Sequence, residues 1–267
     1  MLRELFEWLT CPGTGPGRTL GLDREAVAIA ARYRRQRAAW APHLAASRQA
    51  ILDAAAACPG RGTALVLGSG ACLDVPVAEL AARFATVVLA DAHQPRPARR
   101  LAKRHPNVRL VTADLTGLAE TARRVRRRGG TLPEPLPTPD VRLGTRPDLT
   151  VSVNLASQLP LAVLRLLGSR LEEAAQDRLA REITEAHFAA LARLPGRVCV
   201  VCDARWERVE KGRITAVTDA LYGARPPAPE RTWTWNIAPR PEESPSSDRR
   251  NQVWAWLDFT AAAARGR

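Results

Sequence analysis

The stretch Thr63–Asp91 constrains the fold of this chain more than any other. Thr63-Ala64-Leu65-Val66-Leu67 is an apolar run of strand length, and Gly68-Ser69-Gly70 follows at once. A helical run and a second apolar segment, Val87-Val88-Leu89-Ala90, lead to Asp91. A strand–turn–helix–strand unit of this kind is expected to set a glycine turn against a helix N-terminus, where polar or anionic ligands are favoured. Gly68 and Gly70 are expected to let a ligand approach the backbone with no Cβ in the way. Asp91 lies 21 residues past Gly70, where a nucleoside ribose would offer its hydroxyls.

The rest of the chain repeats this grammar. Residues 1–60 read as an N-terminal helical extension, with 61–267 as a Rossmann-like domain. Cys11–Gly17 is a breaker cluster expected as loop. One helix is expected from Asp23 to about Trp40 and another from Pro42 to Ala57. The first places Tyr33, Arg37 and Trp40 on one face. After Asp91 come a helix over 96–104, a strand over 107–114 ending on Asp114, and a helix from Thr116 to about Val125. Residues 131–147 hold five prolines and read as loop. A strand over 148–154 ends on Asn154. Helices fill 161–194 with a break at Gly168-Ser169, and Arg197–Cys202 is a fifth strand. Alternating strands and helices at this spacing predict a parallel sheet covered on both faces. Beyond Asp203 the chain turns to extended segments, 214–221, 233–237 and 252–259, in which each Trp-x-Trp pair faces one side.

The net charge of +13 on 267 residues leaves nucleic acid open as a partner. All basic residues but Lys103 and Lys211 are arginine, and they are spread along the chain except at 32–37 and 123–128. The second run reads as a solvated helix end favoured by the helix dipole. Five cysteines at scattered spacing describe no disulfide framework. Cys199 and Cys202 lie three apart in an apolar strand, so they are expected to point to opposite faces as core thiols. The four histidines fall at no metal-ligand spacing, and no metal is expected. No apolar stretch has the length of a membrane span, and Met1–Trp8 lacks a signal-peptide pattern. A cytoplasmic protein without membrane partners is the expectation.

This order of parts resembles the class I S-adenosylmethionine-dependent methyltransferases, over residues 60–260. The resemblance implies an α/β fold, a doubly wound seven-stranded sheet, mostly parallel with an antiparallel C-terminal pair. It implies S-adenosylmethionine as cofactor, with Gly68, Ser69 and Gly70 under its methionine and ribose. Asp91 and the adjoining Ala92 then fall at the ribose, and Asp114 with Leu115 at the adenine. Asn154 and Leu155 face the reacting methyl, Asn154 as the positioning group in catalysis. The implied activity is methyl transfer to an acceptor, small or macromolecular.

Two letters depart from the family pattern. Val66 stands where an acid is usual two residues before the first glycine, and Cys72 stands at the third glycine. Asp74, one step into the expected helix, is a candidate replacement for the lost polar contact. Asn154 is followed by Leu155-Ala156-Ser157, which speaks against adenine N6 methylation. The alternatives are a non-catalytic relative that only binds, an RNA methyltransferase, and a nicotinamide-dependent oxidoreductase. The last would need glycine at 73, where Leu73 stands. Tyr33, Arg37, Trp40, Gln158, Trp233 and Trp235 are candidates for an acceptor pocket. Asp203 and Asn236 are placed similarly, and His93 reads as a loop residue.

Overall fold

A computed structural model describes residues 15–265; the cysteine at 11 and the segment Met1–Trp8 lie outside them. The chain opens with α1 (Gly15–Thr19), α2 (Leu22–Arg35) and α3 (Arg37–Ala56). Then come β1 (Thr63–Leu67), α4 (Val77–Arg83), β2 (Thr86–Asp91), α5 (Arg96–Arg104), β3 (Val108–Thr112) and α6 (Ala119–Arg128). β4 (Leu149–Val153) leads to α7 (Leu159–Leu167), a 3-10 turn (Gly168–Arg170) and α8 (Glu173–Leu191). β5 (Arg197–Glu210), β6 (Arg213–Asp219), β7 (Arg231–Ala238), β8 (Asp248–Trp256) and α9 (Phe259–Arg265) complete it. Among the described residues no helix is long and apolar enough to cross a membrane.

The strands form one sheet in the order β3-β2-β1-β4-β5-β8-β7, with β6 paired to β5. β3 to β5 are parallel, and β6, β7 and β8 join antiparallel. This is the mostly parallel, doubly wound sheet expected, with eight strands instead of seven. The extra strand exists because β5 does not stop at Cys202. It runs to Glu210, and its far half pairs with β6 where β4 has ended. Chain order reverses at β1, which has β2 on one side and β4 on the other. The crevice beyond the carboxyl ends of strands at such a switch point is where open α/β sheets hold ligands.

Alternation along the strands builds two cores. Leu65 and Leu67 of β1 face one layer with α6, α7 and α8, while Ala64 and Val66 face the other with α3 and α4. Cys202 joins the first core and Cys199 the second, so the two thiols do lie on opposite faces. Val66 is wholly buried in the second core; an acid there would be stranded without water. Arg124 and Arg126–Arg128 are exposed at the end of α6, whose Ala119, Ala122 and Val125 turn inward.

Three local expectations need correction. Gly15, Pro16 and Gly17 belong to α1 instead of a loop, and a Cβ at Gly17 would collide with the Ala92 carbonyl oxygen. The helix expected to Trp40 breaks at Gln36, so Tyr33 and Trp40 lie on different helices and Pro42 sits within α3. Residues 257–259 leave the last strand, and α9 begins at Phe259.

The break at Gln36 coincides with a polar clamp. Glu242, in the β7–β8 connection, accepts from Arg35 Nε at 3.1 Å and from Gln36 Nε2 at 2.9 Å. Arg32 adds a contact to Glu243 at 2.8 Å. The clamp holds the end of α2 onto the sheet's antiparallel end. The Arg35 hydrogen bond above all holds the Glu242 carboxyl down to about 2. A folded pKa below the unfolded value of 4.5 stabilises fully above pH 4.5, and the contribution is lost as pH falls through about 2. Glu242→Gln should therefore cost roughly 0.5–1 kcal/mol at pH 7, a value reduced for the exposure of Arg35. It should also quicken amide exchange in Leu22–Arg35. The gap from wild type should close as pH drops from 4.5 toward 2; an unchanged exchange rate at pH 7 would contradict the clamp.

Candidate active site

One cavity of about 390 Å³ opens at the switch point, over the carboxyl ends of β1, β2 and β4. The glycine turn after β1 forms its floor. Gly68 N–H and Ser69 N–H both donate to the Ala90 carbonyl, at 2.9 and 3.2 Å. Gly68 has φ 75°, and a Cβ there would meet Val153 O at 2.9 Å. This glycine is required by the approach of β4 and not by a ligand. Gly70 has φ 47° and no atom within 4 Å of its Cβ position, so it alone keeps the approach open. Cys72, where a third glycine was missing, holds φ 55°. The backbone bends as a glycine would, at the steric cost of a side chain. The helix does not begin at the turn: Pro76 delays α4 to Val77, and the helix N-terminus inferred from sequence is absent from the floor. Asp74 therefore lies in the loop ahead of the helix.

Asp91 fixes the turn from the side. Its Oδ2 accepts the Gly70 N–H at 2.8 Å and its Oδ1 the His93 N–H at 3.0 Å. Burial pushes this carboxyl up, and the backbone N–H groups of His93, Gly70 and Ala92 act against that rise. Asp114, after β3, also organises the chain that follows it. The carboxylate accepts from Thr116 N–H and Oγ1–H at 2.9 and 2.6 Å and from Ala119 N–H at 2.8 Å. These bonds start α6, which therefore begins at Ala119 and not at Thr116. Ala92 and Leu115 are buried beside the two acids and also line the cavity.

Asn154 directly follows β4 in the left-handed region, φ 49°, which Asn tolerates better than most residues. Its N–H donates to Val201 O at 2.7 Å and its Nδ2 to Asp74 Oδ2 at 2.8 Å. Opposite stands a second pair of the same kind, Asn251 Nδ2 donating to Asp203 Oδ2 at 2.9 Å. A bulge between Asp203 and Arg205 changes which face of β5 turns inward. In consequence Asp203 and Trp206 both reach the cavity, with Arg249 over the Trp206 ring at 5.2 Å. Burial raises Asp203 to about 6, the Asp74 charge adding to the rise and Trp206, Asn251 and Arg249 opposing it.

The roof comes from Leu22, Ala26 and Ile29 of α2, with Trp40 and His43 of α3 behind it. His43 stacks on Trp235 at 3.9 Å and accepts from Trp233 Nε1 at 3.1 Å. Accepting at Nδ1 assigns the ring proton to Nε2, and burial holds its pKa at about 3.

Gly68, Ser69, Gly70, Asp91, Ala92, Asp114, Leu115, Asn154 and Leu155 all line this one cavity, together with Trp40, Gln158, Trp235, Asp203 and His93. Tyr33, Arg37, Trp233 and Asn236 do not. Tyr33 packs on Trp40 at 5.9 Å, and Trp233 acts from behind by orienting His43. Sequence reasoning passed over Trp206, Arg249, Asn251 and His43. Long-range strand pairing brings the first three here, and the packing of α3 against Trp233 and Trp235 brings His43.

No protein-family model matches the chain, and no curated protein matches it in sequence. Among solved structures it is similar to 1,6-didemethyltoxoflavin-N1-methyltransferase from Burkholderia thailandensis, crystallised with 1,6-didemethyltoxoflavin and S-adenosylhomocysteine. That match has 17% identity over 92% of each chain and a TM-score of 0.41. The N-methyltransferase NodS from Bradyrhizobium japonicum is 12% identical, over 78% of this chain and 84% of that one, at TM-score 0.37. The 23S rRNA methyltransferase ErmE is 17% identical, over 82% and 73%, at TM-score 0.32. These likenesses are distant in both sequence and superposition.

The Asp203 environment has a measurable consequence. Its folded pKa lies above the unfolded value of 3.8, so this group destabilises the fold increasingly as pH rises from about 4 to about 6. Asp203→Asn removes that penalty. Urea unfolding should show the variant more stable by roughly 1–3 kcal/mol at about pH 7.5, with the gain vanishing at about pH 4. An equal effect at both pH values would contradict the assignment.

Proposed function

We propose that the cavity binds S-adenosylmethionine and that the chain transfers its methyl group to an acceptor. The observation that carries this reading is Asp91. It is a carboxylate at the end of β2, beside an open Gly70 at the switch point of a parallel sheet. Gly70 N–H and His93 N–H each donate to one of its oxygens, and a carboxylate has capacity for further donors such as a ribose hydroxyl. In this reading Gly68, Ser69 and Gly70 lie under the methionine and ribose, with Ala92 beside them. Asp114 and Leu115 flank the adenine, and Asn154 and Leu155 face the methyl.

The charge of the site supports the same reading. The donor is a sulfonium cation, and the carboxylates lining the cavity favour a cation. The sulfonium already activates the methyl, so the chain's own work is to align the acceptor and exclude water. Asn154 suits the positioning role because its backbone and Nδ2 are both anchored. Asp74, held by that amide, stands in for the acid missing at Val66.

A binding protein without transfer is the second reading, and Asp114 is the observation that favours it. Three donors from its own turn already occupy its oxygens, which leaves less capacity for an adenine amino group.

Calorimetry with S-adenosylmethionine and with NAD separates the readings. The chain should bind the first and not the second. Asp91→Ala should weaken S-adenosylmethionine binding by roughly 1–3 kcal/mol, provided its melting curve stays cooperative. Binding of neither ligand, or unchanged affinity in the variant, would contradict the proposal. A tRNA titration at two salt concentrations tests the macromolecular acceptor, since binding through phosphates must weaken steeply with salt.

A further inference from the structure

The protein is strongly basic, yet its cavity is not. Asp74, Asp91, Asp114 and Asp203 line it, and its two arginines, Arg32 and Arg249, are turned toward Glu243, at 2.8 and 3.6 Å. The basic charge of +13 is carried elsewhere. A phosphate-bearing substrate would meet like charge at the very place where it must react.

At the end away from Asp91 the polar groups are incompletely matched. Asp203, 4% exposed, has Oδ2 on Asn251 and no partner for Oδ1 among the described residues. Asn251 Oδ1 is likewise buried without a partner there, while the Trp206 indole N–H lies close enough to the Asp203 carboxyl to oppose the rise in its pKa. Buried polar atoms left unpaired are costly, and clusters of them mark a place where a ligand completes the set. Aromatic rings border the same space: Trp206, capped by Arg249, and Trp235, backed by His43.

We infer that Asp203, Asn251 and Trp206 form the acceptor subsite, that it takes a small planar substrate bearing a ring or aryl N–H, and that Asp203 Oδ1 accepts the proton that this nitrogen releases. The inference rests on the methyltransferase reading of the neighbouring corner. The acceptor nitrogen bonds the methyl carbon as the donor's carbon–sulfur bond breaks, its electron pair staying on sulfur. The N–H bond breaks, and the proton passes to the Asp203 carboxylate. A carboxyl raised to about 6 is ionised at neutral pH and is a better proton acceptor than an exposed Asp. Asn251 supplies a donor and an acceptor beside it, which suits an amino-heterocycle edge.

The test uses 2-aminopyridine as probe, with benzoate and phenyl phosphate as planar anions of similar size. Each is titrated at about pH 7.5, where Asp203 is ionised, into the chain with and without S-adenosylhomocysteine. 2-Aminopyridine should bind at least tenfold more tightly than either anion. Asp203→Asn should abolish that preference while S-adenosylhomocysteine affinity changes less than twofold. Asn251→Ala, which leaves the carboxylate in place, should weaken 2-aminopyridine several-fold and covers a failure of the first variant to fold. Anions that bind as well as the amine, or an unchanged amine affinity in both variants, would overturn the inference. Amine binding without S-adenosylhomocysteine binding would count against the cofactor reading and leave the subsite standing; the reverse would count against the subsite alone.

Discussion

The hydrogen bond from Gly70 N–H to Asp91 Oδ2, at 2.8 Å, ties the ends of two adjacent parallel strands together. Much of the site follows from it. The turn must stay flat against β2, so Gly68 and Ser69 both spend their N–H groups on Ala90. That brings the Gly68 position against Val153 O and fixes where β4 ends. Asn154 then has to leave the strand with positive φ, and its amide reaches back to Asp74 in the loop after the turn. The glycines, the acid and the asparagine form one mechanical unit. Because those turn N–H groups are spent internally, ligand recognition in this corner falls to side chains more than to the backbone.

A second constraint comes from the length of β5. A strand that continued no farther than Cys202 would leave the Asp203 side of the cavity open. The continuation to Glu210, bulged between Asp203 and Arg205, raises a wall of antiparallel strands above the sheet edge. The N-terminal helices close the opposite side. Trp40 Nε1 donates to Ile237 O at 2.9 Å, and Arg165 of α7 holds Glu25 of α2 at 2.7 Å. The cavity is thus enclosed by segments from both ends of the chain, and among the carboxylates it collects Asp203 is one whose charge burial penalises.

What the sequence made legible follows from how each residue is signalled. Asp91, Asp114 and Asn154 could be found because each ends an apolar run, and parallel strands place their carboxyl ends along one edge. The opposite faces of Cys199 and Cys202 followed from strand periodicity alone. Other features lacked such a local signal. Asn251 meets Asp203 across 48 residues, in a strand whose first half, Asp248-Arg249-Arg250-Asn251, is polar and carries no alternation of apolar residues. The bulge that turns Trp206 inward leaves no mark in composition. One missed signal was present: Pro76 disfavours helix at the residue before it, and so predicts that α4 starts after the loop holding Asp74. The break at Gln36 had no such marker. It coincides with a contact to Glu242, 206 residues away.

The most direct measurement is a crystal structure of the chain grown with S-adenosylhomocysteine. The ribose hydroxyls should lie within hydrogen-bond distance of Asp91, and the sulfur should point past Asn154 toward Asp203. A ligand bound elsewhere, or bound in this cavity with its ribose away from Asp91, would contradict the central claim.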